Sequence, residues 1–166
     1  ARLSAWGEQG PRADSQGMDY LMQGPSGLMW SGGNAEDPTP SRIVGAIVDM
    51  TAATLLSMGI LGALVARERQ GIGQEVTASL LGSGLHLQRS NVNRVLVLEA
   101  GYPRSSRIEG QQPLGTFYCC ADNKWIIFQN NRPQDVWSEF ASTVNINFGF
   151  EDRPANEVIA ILDDLF

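Results

Sequence analysis

The sequence predicts a mixed α/β chain built in two parts, and three stretches carry that reading. A long apolar helix follows Asp49, an extended segment covers residues 74–80 directly after it, and a hairpin covers residues 115–129. Residues 99–112, with Gly101, Tyr102, Pro103, Arg104, Arg107 and Gly110, read as a linker between the two parts.

The helix is the organising element. Asp49 is placed as its N-cap, because a short carboxylate accepts a hydrogen bond from a free backbone N–H two or three residues on. From there Met50, Leu55, Leu56, Met58, Ile60, Leu61, Leu64 and Val65 fall on nearly every face, the pattern of a helix buried all round. Gly59, Gly62 and Ala63 admit close neighbours. Arg67 and Arg69 suit the negative C-terminal end, and Gly71 suits a left-handed closing residue. Residues 50–66 carry no charge and approach the length of a membrane span, but their Ala, Gly and Thr content and the flanking Asp49 and Arg67 favour a buried helix of a soluble domain. Val76 and Thr77 then mark a short strand.

The remaining elements follow in order. Residues 2–6 are short and half apolar, residues 7–16 are a polar loop, and Gly17, Met18, Asp19 and Tyr20 open a helical segment broken by Gly24, Pro25 and Gly27. On residue type alone Asp19 reads equally as a helix cap or as a site residue. Residues 31–41 are turn-rich, and residues 80–97 are helical, with Leu81, Leu85, Val92 and Val95 among their apolar positions. The hairpin turns at Asp122 and Asn123 between Phe117-Tyr118 and Trp125-Ile126-Ile127-Phe128. After it, Val136, Trp137 and Phe140 form a core stripe of one helix, and Pro154 opens a second.

Composition removes several classes of function. Twelve basic against eighteen acidic residues give a net charge of −6, with no basic run to follow a phosphate backbone, so nucleic acid is not an expected partner. Two adjacent cysteines, Cys119 and Cys120, make no disulfide framework; reduced thiols and a cytoplasmic location are expected. His86 is the only histidine, and no Cys, Asp or Glu lies at metal-ligand spacing from it, so no metal site is expected. His86 also lacks a nucleophilic partner in an elbow context, which leaves the Ser-His-Asp hydrolases without support. Ala1 and Phe166 both read as interior to an element, so the chain is expected to be part of a longer protein.

Several motifs occur together and in order: SAWGEQGP from Ser4, GMDYLMQGPSGLMWSGG from Gly17, a proline-bearing loop, then Asp49 with small residues, the apolar helix and RERQGIGQEV. Over roughly the first ninety residues this order resembles the family III CoA-transferases, which include formyl-CoA and carnitine-CoA transferases and the alpha-methylacyl-CoA racemases. The resemblance implies a Rossmann-like large domain with an open parallel sheet over residues 1–90, a linker over 91–112, and the start of a small α+β domain over 113–166. It assigns Asp49 as the catalytic nucleophile and places Asp19 and Gln23 near the active site, with Gly110 in a glycine-bearing loop that closes over it. Coenzyme A enters as a thioester substrate, with no separate cofactor. The implied partners are an acyl-CoA, a small carboxylic acid and a second copy in an interlocked homodimer, without a membrane.

Two positions depart from the family pattern. Met18 stands where the racemase branch has one of its two acid-base groups, a histidine, and Ala53 stands where a glycine is usual. Three further readings stay open on residues alone: Asp49 as a plain helix cap, an acyl-CoA racemase or isomerase using Asp49 as base, and a non-catalytic oligomerising piece. The chain by itself is expected to bind CoA poorly and to be inactive, because a site assembled from loops of an open sheet loses its contacts when strands are missing.

Overall fold

The computed structural model describes residues 1–166 except 103, 105, 108–111 and 131. Two compact units are present, Ala1–Arg104 and Ser105–Phe166.

In the first unit, β1 (Arg2–Ser4) pairs in parallel with β2 (Thr77–Ser79), with Arg2 opposite Thr77 and Ser4 opposite Ser79. Between them the chain forms α1 (Asp19–Gln23), α2 (Leu28–Ser31) and the 24-residue α3 (Ile47–Gln70). Parallel strands need a crossover of this kind. After β2 come α4 (Leu80–Leu87), whose N-cap Ser79 accepts from the Gly82 N–H, and α5 (Arg89–Leu98). Gln88 interrupts the single helix expected over residues 80–97. Met22, Leu28, Val48, Ala52 and Leu80 form the core of this unit. Glycines set several of its close approaches: a Cβ on Gly17 would stand 2.5 Å from Ala5 Cβ, one on Gly59 2.6 Å from Val76 Cγ1, and one on Gly84 2.6 Å from Ser26 Cβ.

Two expectations about α3 are corrected. Its N-cap is Ala46, three residues before the expected cap, and Asp49 is the third residue of the helix, without a capping bond from its side chain. Nor is the helix buried all round: Val48 and Ala52 alone are buried, while Met50, Met58, Leu61 and Val65 are exposed. The reason is that α1, α4 and β2 lie against one side of α3 only. Among the described residues α3 is the one helix long and apolar enough to cross a membrane by length and composition. The helix ends as expected, at Gly71 in the left-handed region (φ 71°), whose N–H donates to Arg67 O at 2.8 Å.

The second unit contains the expected hairpin. β3 (Phe117–Cys119) pairs antiparallel with β4 (Trp125–Ile127), and Asn123 at φ 60° makes the turn. Side chains alternate across it. Tyr118 is buried inward, while Phe117, Trp125 and Ile127 are exposed on the other face. Helices α6 (Pro133–Thr143) and α7 (Ala155–Leu165) pack on the inner face through Trp137, Ala141, Val158, Ile159 and Leu162. The ring pairs Tyr118–Phe128, Phe128–Phe140 and Trp137–Phe150 lie 5.9, 5.5 and 5.5 Å apart in edge-on geometry, an arrangement that adds to area burial. Both buried polar handles are satisfied: Trp137 Nε1 donates to Phe148 O at 2.9 Å and Tyr118 OH to Pro113 O at 2.7 Å.

Candidate functional site

The first turn of α3 is where sequence-predicted site residues meet. Asp19, the first residue of α1, is buried. Its Oδ2 accepts the Val48 N–H at 2.7 Å and the Asp49 N–H at 3.0 Å. The first N–H groups of a helix have no partner within it, and a carboxylate placed there satisfies them and opposes the positive end of the helix dipole. Asp19 therefore caps α3 from another element, and the capping role expected of Asp49 belongs to it.

Gln23, one turn further along α1, is fully buried. Its Nε2 donates to Asp19 Oδ1 at 2.6 Å and to Ile43 O at 2.8 Å, and its Oε1 accepts the Ile43 N–H at 3.0 Å. Asp19 and Gln23 are four residues apart, so their side chains lie on one helical face, a spacing visible in the sequence. What the sequence did not reveal is that their partners are backbone groups of residues 43, 48 and 49.

Between these anchors the backbone takes two successive left-handed residues, Gly45 (φ 101°) and Ala46 (φ 52°). Glycine enters this region freely, whereas an L-residue with a Cβ is disfavoured there by roughly 1–2 kcal/mol. The entry to α3 is thus strained at Ala46 and pinned on both sides by buried hydrogen bonds.

Asp49 is exposed. The apolar, water-poor setting expected for a carboxylate nucleophile is not formed by the described residues of this unit. The N–H groups of Val48 and Asp49 are occupied by Asp19, so they do not form an oxyanion site in this arrangement. Gly110 lies outside the described residues, and no cluster of metal ligands occurs among the described ones.

The loop leading to α3 has its own fastening, which sequence reasoning missed. Arg104 donates to the carbonyls of Asn34, Asp37 and Thr39, the last at 3.1 Å, and its guanidinium lies 4.3 Å over the Trp30 ring. Thr39 N–H donates to Asp37 Oδ1 at 2.8 Å, and hydrogen bonds from Thr39 hold the Asp37 carboxyl below the usual carboxylate range. Arg42 stacks 4.2 Å over Tyr20 of α1. An apolar cleft of about 320 Å³ beside α5, lined by Trp30, Val92, Val95, Leu96 and Tyr102 among others, does not include Asp49.

A parallel strand pair joined through helices, with a carboxylate in the first turn of the crossover helix, defines an α/β protein of the open-sheet class. The chain belongs to CoA-transferase family III, whose model matches residues 1–160. It is 26% identical over 172 aligned positions to the (R)-2-hydroxy-4-methylpentanoate CoA-transferase of Clostridioides difficile, covering 98% of this chain and 40% of that protein. It is 29% identical to the succinyl-CoA–D-citramalate CoA-transferase of Chloroflexus aurantiacus, covering 78% of this chain and 32% of that protein. A third relative, the acetyl-CoA:oxalate CoA-transferase of Acetobacter aceti, is 34% identical over 51% of this chain and 22% of its own length. In fold the chain is similar to a CAIB/BAIF family protein from Brucella suis, with a TM-score of 0.77 at 20% identity over 98% of this chain and 43% of that one. The chain thus spans less than half the length of these relatives.

Proposed function

We propose that the protein carrying this chain transfers CoA between an acyl-CoA thioester and a small carboxylic acid, with Asp49 as the covalent nucleophile. The observation that carries the reading is the placement of Asp49: its side chain is exposed, while the buried carboxylate beside it, Asp19, has both oxygens engaged by N–H donors. One carboxylate is free to react and the other serves to hold the helix.

The chemistry balances on Asp49 alone. Its carboxylate attacks the thioester carbonyl, expels CoA thiolate and becomes a mixed anhydride; the thiolate then attacks the aspartyl carbonyl, releasing the donor acid and leaving an aspartyl-CoA thioester. The acceptor carboxylate attacks that thioester and displaces the thiolate. Attack of the thiolate on the acceptor's carbonyl gives the new acyl-CoA and regenerates Asp49. Asp49 acts as a free carboxylate in the first attack, is carried as anhydride and thioester through the middle steps, and is released as a carboxylate in the last.

Racemisation requires acid-base groups on both faces of a carbon. Met18 supplies none, and Asp19 is committed to Val48, Asp49 and Gln23, which favours transfer. A homodimer, a cytoplasmic location, no membrane partner and inactivity of this chain in isolation complete the proposal. The homodimer and the inactivity rest on the family resemblance and on the share of the relatives' length that the chain spans, the location on the two free cysteines, and the lack of a membrane partner on the Ala, Gly and Thr content of residues 50–66.

The test is covalent trapping in the full-length protein. With acetyl-CoA or succinyl-CoA as donor, hydroxylamine should place a hydroxamate on the peptide containing Asp49. Asp49→Asn, which keeps the size of the side chain, should lower kcat by at least about a thousandfold. Turnover retained in that variant, or a hydroxamate found only on Asp19, sinks the assignment.

A further inference from the structure

The entry to α3 places two left-handed residues, Gly45 and Ala46, between two backbone anchors, and one side chain serves both. Gln23 grips Ile43 through its N–H and its C=O, and the same amide nitrogen holds Asp19 Oδ1, whose sister oxygen takes the N–H groups of Val48 and Asp49. Both donors and the carbonyl oxygen of the Gln23 amide are used, in a fully buried setting.

We propose that Gln23 is a positioning residue for Asp49: by bridging Ile43 and Asp19 it holds the strained Gly45-Ala46 entry in one geometry and thereby fixes where the Asp49 carboxylate stands. The role of Asp49 in this statement rests on the CoA-transferase reading. Glutamine suits the task where its neighbours in size do not. A leucine has no donor or acceptor, and an ionised glutamate lacks the N–H groups that Asp19 and Ile43 O receive. Buried networks of this kind are sensitive to the loss of one member, because the remaining polar groups stay desolvated and unpaired.

The charged groups around this amide are few. On α1 the group facing it is Asp19, and in the first turn of α3 the titratable residue is Asp49. Arg42, which precedes Ile43, is directed onto the Tyr20 ring. Helix α4 packs against α1, and its one titratable side chain, His86, is exposed. β2 carries no ionisable group. A carboxyl introduced at position 23 would therefore meet chiefly the Asp19 carboxylate, which raises the pH at which it ionises.

This gives a test with a signature that a purely structural role would not produce. In Gln23→Glu at about pH 5, the protonated carboxyl can donate to Asp19 and accept from the Ile43 N–H; by about pH 8 it is ionised against Asp19 and the clamp opens. Two readouts are taken in the full-length protein across that range. One is amide hydrogen exchange at Val48 and Asp49; the other is the rate of CoA release from succinyl-CoA in the presence of hydroxylamine, with thermal stability measured alongside. For Gln23→Glu, kcat should fall by about tenfold or more from the acid to the alkaline end relative to wild type, with KM changed by less than about twofold, and exchange at both amides should accelerate over the same interval. Gln23→Leu should show the low kcat and fast exchange at every pH.

If both variants keep wild-type exchange at Val48 and Asp49 and wild-type kcat per folded molecule throughout, the positioning role is overturned, whatever happens to the melting temperature. Failure of the underlying reading looks different. Asp49→Asn would then release CoA as fast as wild type, while the pH-dependent exchange in Gln23→Glu persists. If succinyl-CoA is not turned over at all, the exchange readout alone decides whether Gln23 fixes the first turn of α3.

Discussion

The two units of this chain are held together by different physics. In Ser105–Phe166 an apolar core of seven buried side chains among the described residues sits under a hairpin, with rings meeting edge-on or tilted and each buried polar group of Tyr118 and Trp137 matched by one carbonyl. In Ala1–Arg104, which is longer, the core has five members, and the most constrained region is polar: Asp19 and Gln23 bonded to the backbone of Ile43, Val48 and Asp49. The difference shows what each arrangement is suited to. Apolar packing is non-directional and resists opening in bulk. Buried hydrogen bonds are directional, so they can fix one carboxylate-bearing turn even where Ala46 is strained and Asp49 is open to solvent.

That contrast can be broken most severely at Trp137, whose indole is buried in the aromatic cluster. Trp137→Ala should cost about 3–5 kcal/mol, the range for deleting a large aromatic from a core, measured by chemical denaturation with a probe in the second unit. A cost below about 1 kcal/mol would show that the cluster does not support that unit.

A smaller effect is expected from pH. Burial, reinforced by the Asp163 carboxylate and opposed by Arg107, pushes the Tyr118 phenol from 10.0 up to about 12. A group whose folded value is raised contributes its full share of stability below the unfolded value and loses it as pH climbs through the folded one. The second unit should therefore weaken between pH 10 and about 12, by on the order of 2–3 kcal/mol at the upper end. Tyr118→Phe should remove this alkaline step while losing the hydrogen bond to Pro113. Identical pH curves for the two proteins would contradict the burial of the phenol.

The smallest effect belongs to the outward side of α3. Leu61 is 63% exposed, so Leu61→Gln in this chain should change stability by no more than about 0.5 kcal/mol in denaturant titration. A loss of several times that size would mean that the outward side of α3 is covered in solution, and the comparison between a sparsely packed and a densely packed unit would fall.

Much of this was written in the residues. The Gly71 end of α3, the hairpin turn at Asp122-Asn123 and the core stripe Trp137-Phe140 were all legible, because caps, turn residues and local periodicity act over a few positions. The motif order identified the family. The burial of α3 was not legible. Apolar residues on every face state what a helix would tolerate as neighbours, whereas exposure depends on which elements lie against it, and here α1, α4 and β2 cover one side.

The division of labour between the two aspartates was likewise a tertiary decision. By itself the sequence determined that each stood beside a helix start, with Asp49 read as the cap of the long apolar helix and Asp19 equally as a cap or a site residue. Only the folded chain brought Asp19 across 29 residues to the Val48 N–H, leaving Asp49 in the first turn with its side chain unbound to the helix end. The physical reason is that a free helix N–H donates to any carboxylate that reaches it. Sequence proximity favours the local candidate, but the backbone route through Gly45 and Ala46, held by Gln23 at Ile43, determines which one arrives.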